Sequence, residues 1–174
     1  MNYFHKVTSS LINHCVMNGI KEIVIGYNKN WKNNVNLGRK NNDMFYKIPY
    51  CRLIHMLFYK GENKGIVVSE HEEAYTSKCD ALAFEKIGFN DKYSGERITR
   101  DLFSSQKNTN KRVIINADVN GAINILRKKL KHNAHLLKCL KSIIKIRKLV
   151  CNPKKVKLNS PPDSNIKPGR AYGM

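Results

Sequence analysis

The sequence predicts an α/β protein, and three observations carry that prediction. Ile23-Val24-Ile25 and Ile66-Val67-Val68 are short unbroken apolar runs, the kind of strand that a parallel sheet buries on both faces. Between them Tyr50, Leu53, Ile54, Leu57 and Phe58 recur at helical spacing and make a broad apolar face. Strand, helix, strand implies a parallel pair joined by a right-handed crossover.

The other elements follow in order. Residues 3–18 read as a helix with Val7, Leu11 and Cys15 on one face, ended by Gly19. Glu22 to Tyr27 is the first strand, and the polar, Asn-rich stretch from Trp31 to Asp43 is a loop. Pro49 suits the first turn of the next helix, which should pack on the strand before it. Gly61-Glu62-Asn63-Lys64-Gly65 turns the chain into the second strand, Ile66 to Ser69. The span of about 70–115 then reads as a long irregular insert, more than an idle connection needs, and so as a surface facing nucleic acid. Val119, Ala122, Ile123, Leu126 and Leu130 form one buried stripe, so a further helix begins at or just after Asp118.

That places the Asp118 carboxylate at a fixed, water-facing helix mouth inside a very basic chain. Hard divalent cations take oxygen ligands, and hydrolysis of a phosphodiester with two ions about 4 Å apart needs carboxylates converging from rigid elements. From the residue alone, a simple helix cap explains Asp118 as well. The formal charge is +19 in 174 residues, and nine of the thirteen acids lie in residues 61–105, between two basic flanks. Basic flanks around an acidic centre suit a protein that grips phosphates while holding metal ions. The 21 asparagines alongside the many lysines show that AT-rich codon bias can supply part of this excess.

Cys15, Cys51, Cys79, Cys139 and Cys151 include no closely spaced pair, which gives neither a disulfide framework nor a secretory context. His132 and His135 form a weak pair that reads as surface. From residue 133 the chain is a basic tail, with an amphipathic segment over Leu136 to Val150 and a Pro/Ser/Asn-rich end, Ser160 to Met174, expected to be disordered. No apolar run approaches the roughly 20 residues of a membrane span, so no membrane partner is expected.

Asn116-Ala117-Asp118-Val119-Asn120-Gly121-Ala122-Ile123-Asn124-Ile125 resembles the last catalytic segment of the RuvC-type domain in TnpB proteins, the RNA-guided endonucleases encoded by transposons as OrfB. Other segments resemble one TnpB subgroup in the same order: Gly26 to Lys32, Asn41-Asn42 with Ile48-Pro49-Tyr50, Tyr59-Lys60, Gly65-Ile66, Glu73-Ala74-Tyr75-Thr76-Ser77-Lys78 and Ser94 to Ile98. The resemblance runs from about His5 to Lys129. It implies the C-terminal half of an RNase H-like (RuvC-type) fold: parallel strands with packed helices over residues 1–132, the insert at about 70–115, and the tail at 133–174.

It also implies a site. In the family the first catalytic aspartate lies upstream of the helix with which this chain begins, so that residue, three strands and the part that engages guide RNA and target DNA are expected to be missing. The second carboxylate is usually a glutamate at the end of the strand that here reads Ile23-Val24-Ile25, where this chain has Gly26. Glu73 is the substitute candidate, with Glu72 and Glu70 as neighbouring possibilities, because strand ends on one side of a parallel sheet face one crevice. Glu73 and Asp118 are thus the expected catalytic and metal-binding residues, for Mg²⁺ or Mn²⁺. Many relatives carry a zinc module with two close cysteine pairs before the last aspartate; here Cys79 stands alone, so no zinc is expected, as in the subgroup without those cysteines.

Trp31, Lys32, Thr76, Ser77, Lys78, Arg97 and Arg100 are the expected nucleic-acid contacts: a ring for stacking, hydroxyls, and cations for phosphate. Each has an ordinary alternative as a surface, turn or sheet-edge residue. The expected partners are DNA, a guide RNA and an upstream-encoded N-terminal half, in the cytoplasm and on the nucleoid of a prokaryotic host. The expected function is that of a truncated TnpB-like, metal-dependent DNA endonuclease fragment, inactive alone. The alternative is a non-catalytic DNA- or RNA-binding protein or transposon remnant, which makes no demand on Glu73 or Asp118.

Overall fold

The computed structural model describes residues 2–28, 50–108 and 111–144. Trp31, Lys32, the Asn-rich loop, Pro49 and everything beyond Ile144 lie outside the described residues. The element order is α1 (Asn2–Met17), β1 (Glu22–Tyr27), α2 (Tyr50–Glu62), β2 (Val67–Glu72), β3 (Glu96–Arg97), β4 (Leu102–Asn108), β5 (Lys111–Asn116), α3 (Ala117–Leu130) and α4 (Ala134–Ile144). This mixed α/β chain divides into two compact units, one taking residues 2–23 and 50–69, the other 24–28, 70–108 and 111–144. No helix among the described residues is long and apolar enough to cross a membrane.

In the first unit both helices stop by the same device. Gly19 (φ 65°) and Gly65 (φ 68°) take the left-handed conformation that only glycine adopts without strain. Gly19 N donates to Val16 O and Ile20 N to Cys15 O; Gly65 N donates to Glu62 O and Ile66 N to Gly61 O. Each pair closes a Schellman cap, satisfying carbonyls that the helix leaves open and turning the chain toward the strand that follows.

The inward face of α1 keeps Cys15 of the expected residues and half-buries Val7, but turns away from Leu11. Thr8, Ile12 and Cys15 are buried, whereas Leu11 is 40 % exposed. A polar residue turns inward because its needs are met: Thr8 Oγ1 donates to Phe4 O at 2.8 Å, and Lys60 Nζ of α2 donates to Thr8 Oγ1, Ser9 Oγ and His5 O. Burial of that ammonium lowers its pKa below the ordinary lysine value. On α2 it is Met56, Leu57 and Gly61 that are buried, while Phe58 is 38 % exposed. Gly61 leaves no room for a side chain, since a Cβ there would lie 2.8 Å from Val68 Cγ2 and 2.9 Å from Ile66 O.

β1 and β2 form a two-stranded sheet. Val67 N donates to Lys21 O and Glu73 N to Tyr27 O, bonds that advance together along both segments as a parallel pair requires. Burial on both faces is corrected: β1 is only half-buried, and β2 alternates, with Val68 buried and Val67 61 % exposed.

The second unit corrects the insert. Residues 70–72 belong to β2 and 73–95 are irregular, but β3, β4 and β5, with a turn at 98–101, form a three-stranded antiparallel meander in the order β3-β4-β5. Phe103 pairs with Ile115 and Ser104 with Ile114, and the ladder shifts register between Ser105 and Asn108. Phe103 and Ile115 are each 1 % exposed and form a core with Leu82, Ala117 and Leu140. Leu140 comes from α4, whose first turn is capped by Asn133 Oδ1 accepting from Leu136 N.

The stripe expected on α3 is also corrected. Val119, Ile123, Leu126 and Leu130 are half-buried against this core and Ala122 is exposed. The fully buried face is Ala117, Asn120, Asn124 and Arg127, mostly polar, which hydrophobic periodicity cannot register.

Candidate functional site

The start of α3 frees Asp118 from structural duty. Asn116 is the cap: its Oδ1 accepts from Asp118 N at 2.9 Å and Val119 N at 3.1 Å. The simple cap explanation of Asp118 is thereby set aside. Asp118 sits in the first helical turn, where the helix dipole favours an anion, and its side chain is 85 % exposed. Ala117 N donates to Asp101 O, which ties the β3–β4 turn to the helix mouth.

Arg97, the last residue of β3, meets Asp118 across 3.8 Å from Nη2 to Oδ1. Its Nε donates to Arg100 O at 3.1 Å and Thr99 O at 3.3 Å, and Nη2 also reaches Arg100 O. The guanidinium is thus held in place by main-chain carbonyls. An exposed ion pair of this length contributes little to stability, so Asp118 stays available to another cation.

Glu73 follows β2 and is half-buried. A Cβ built on Gly26 would lie 3.0 Å from Glu73 Oε2, 3.3 Å from Glu73 Cβ and 2.5 Å from Ile125 Cδ1. The Glu73 carboxylate therefore lies across the bare α-carbon of Gly26, where the family resemblance places a glutamate. Ile125 is seven residues beyond Asp118, so Asp118 and Ile125, which with Glu73 flanks Gly26, share one side of α3, about 10 Å apart along its axis. Of the neighbouring acids, Glu72 pairs with Lys128 at 3.4 Å and Glu70 is exposed. Among the described residues, no three His, Cys, Asp or Glu side chains come together as a metal-binding group.

The segment between these carboxylates is fixed to the polar face of α3. Asn124 Nδ2 donates to Thr76 O and Cys79 O, Asn120 Nδ2 donates to Cys79 O, and Asn120 Oδ1 accepts from Ala81 N. Arg127 donates to Asn124 Oδ1 and Glu85 O; burial pulls its pKa below the usual arginine value. Asp80 is the hub beneath. Fully buried, it accepts from Leu82 N, Ala83 N, Ser105 Oγ and Gln106 N. Glu85 adds bonds from Asp80 N, Ser94 N and Ser94 Oγ. No buried side-chain nitrogen or oxygen among the described residues lacks a partner.

Sequence reasoning missed this hub. Asp80 and Glu85 belong to the acidic centre expected to hold metal ions, yet both carboxylates serve the fold. The available signal is local: an aspartate accepting from residues two and three ahead is an Asx-type turn. Cys79 is buried too, its Sγ toward Lys86 O and Gly88 O, and desolvation raises its thiol pKa.

Of the expected nucleic-acid contacts, Thr76 is buried and its Oγ1 closes a turn on Glu73 O at 2.7 Å. Ser77, Lys78 and Arg100 are exposed, Arg97 is engaged as above, and Trp31 and Lys32 are outside the described residues.

Residues 50–125 match the family model described as Cas12f1-like, TNB domain. The matched span, less than half of the chain, contains Glu73, the Asp80 hub, Arg97 and Asp118, and is similar to that domain over these residues. No curated protein matches the chain.

Proposed function

We propose that this chain is part of a TnpB-like, RuvC-type DNA nuclease, with the second half of an RNase H-like fold, in which Glu73 and Asp118 provide two oxygen donors for Mg²⁺ or Mn²⁺. The observation that carries this reading is the exchange at Gly26: the acid missing from the strand end is replaced in space by Glu73, on the side of α3 where Asp118 stands free of capping. Two carboxylates fit hard divalent ions, which prefer oxygen. Such ions, when bound, activate water and stabilise the leaving oxygen of a phosphodiester. The chain's own part is to hold those carboxylates on rigid elements, to keep Arg97 beside Asp118 for exchange onto phosphate, and to offer Ser77, Lys78 and Arg100, with Trp31 and Lys32, to DNA and a guide RNA. A further segment of polypeptide completes the ligand set.

With Glu73 and Asp118 as the only two carboxylates assigned to the ions among the described residues, the chain alone is expected to bind DNA without cutting it. Purified protein incubated with single- and double-stranded DNA and Mg²⁺ or Mn²⁺ is expected to leave both intact, while its DNA affinity falls about tenfold or more as salt rises from 50 to 200 mM. Cutting that disappears in Asp118→Ala contradicts the inactivity. DNA binding unchanged by salt contradicts the nucleic-acid reading. Metal uptake unaffected by substitutions at Glu73 and Asp118 favours a purely DNA-binding protein.

A further inference from the structure

Two non-glycine residues among those described have positive φ, Tyr75 at 65° and Phe84 at 56°. A residue with a bulky side chain is strained there, and such strain persists only where the surroundings fix it, most often at functional positions. Phe84 is explained by packing. Its ring lies against the core, with the Arg127 guanidinium 4.6 Å and Lys141 Nζ 5.4 Å from its centroid.

Tyr75 has no such explanation, since it is 41 % exposed. Its backbone is nevertheless held from both sides. Thr76 N and Oγ1 both donate to Glu73 O, while Tyr75 O accepts from Lys78 N at 3.1 Å and Cys79 N at 3.2 Å. Thr76 O is in turn bound by buried Asn124, and Lys128 Nζ reaches Ala74 O at 3.3 Å. The turn thus carries an aromatic ring in a conformation that glycine or asparagine would take more easily. It does so two residues from Glu73, with Lys78 exposed three residues further on.

We propose that Tyr75 is a stacking platform for an unpaired nucleobase of the nucleic acid at the Glu73 site. This rests on the nucleic-acid reading above. Stacking uses the π-face that every base has, so Tyr75 adds affinity for single strands without choosing a sequence, and the Lys78 ammonium meets the adjoining phosphate. The fixed turn means that the backbone carrying the ring is set before the strand arrives.

The test separates strain from stacking. Full-length protein and its Tyr75→Asn and Tyr75→Phe variants are titrated by fluorescence anisotropy against a labelled oligo-dT and an abasic strand of equal length. Tyr75→Asn is expected to melt at or above the wild-type temperature yet bind oligo-dT about tenfold more weakly, with unchanged affinity for the abasic strand. Tyr75→Phe should bind both as wild type does. Wild-type affinity of Tyr75→Asn for oligo-dT overturns the proposal, as does an equal loss on both strands. Wild-type protein that binds neither strand overturns the nucleic-acid reading itself, and this inference falls with it.

Discussion

Asp80→Ala is expected to lower the stability of the second unit by about 3–5 kcal/mol. The carboxylate is fully buried and accepts from four groups in two segments: Leu82 and Ala83 in its own turn, and Ser105 and Gln106 on β4. Alanine removes the acceptor and leaves Leu82 N and Ser105 Oγ unsatisfied in a buried site, while Ala83 N and Gln106 N are part-buried. Each unsatisfied buried donor costs on the order of 1–3 kcal/mol, partly recovered as the loop relaxes. Asp80→Asn keeps the volume and one acceptor oxygen, so its loss should be smaller. Urea unfolding followed by circular dichroism measures both. A loss under about 1 kcal/mol for Asp80→Ala would show that the hub is not what fixes the irregular segment to the meander.

Gly26→Glu restores the acid that the family resemblance places at this strand end, yet it is expected to destabilise the protein by about 2–4 kcal/mol. The new Cβ would meet Ile125 Cδ1 at 2.5 Å and Glu73 Oε2 at 3.0 Å. Ile125 can give way at its far end. Glu73 can do so only by moving its carboxylate, and two like charges would then compete for one place. The double variant Gly26→Glu/Glu73→Ala should recover at least about 1 kcal/mol of the loss, since neighbours in contact are coupled. Thermal melts of the two variants decide this; a Gly26→Glu protein as stable as wild type would mean that Glu73 does not fill the position.

Backbone punctuation was the most legible part of the sequence. Gly19 and Gly65 mark helix ends because a left-handed residue at that place almost demands glycine, although Gly61, read as part of the turn, lies inside α2, and the Asp118 helix begins within a residue of where its pattern starts. The meander was not legible. Leu102-Phe103-Ser104-Ser105 interleaves serine with its inward residues, and the two serines are buried because Asp80 and the ladder satisfy them, so no clean alternation reaches the sequence. The inner face of α3 failed to show for the same reason: Asn120, Asn124 and Arg127 are buried by hydrogen bonding, and periodicity counts only apolar residues. Thr8 displaces the expected face of α1 likewise.

Part of the candidate site could be read from the residues. Asp118 stood out by its position at a helix mouth, and Gly26 by what it lacks. What could not be read is the reason for that glycine, a close approach between residues 26, 73 and 125 that only folding creates. Nor does the sequence distinguish acids that build the fold, Asp80 and Glu85, from those left exposed or half-buried beside α3. The resemblance to TnpB directed attention to Glu73; the packing against Gly26 gives that choice a physical basis.

The central claim is that Glu73 and Asp118 serve one divalent-metal site, and Mn²⁺-induced broadening of the backbone amide signals of the full-length protein tests it most directly. Titration with Mn²⁺ is expected to broaden signals around residues 73 and 118 together, at the same concentrations. Asp118→Asn should abolish both effects, and Glu73→Gln should weaken both by about fivefold or more in apparent affinity, since each carboxylate contributes charge and an oxygen ligand to a site of two ions about 4 Å apart. Broadening at Asp118 that is indifferent to Glu73→Gln, or broadening at neither segment, contradicts it.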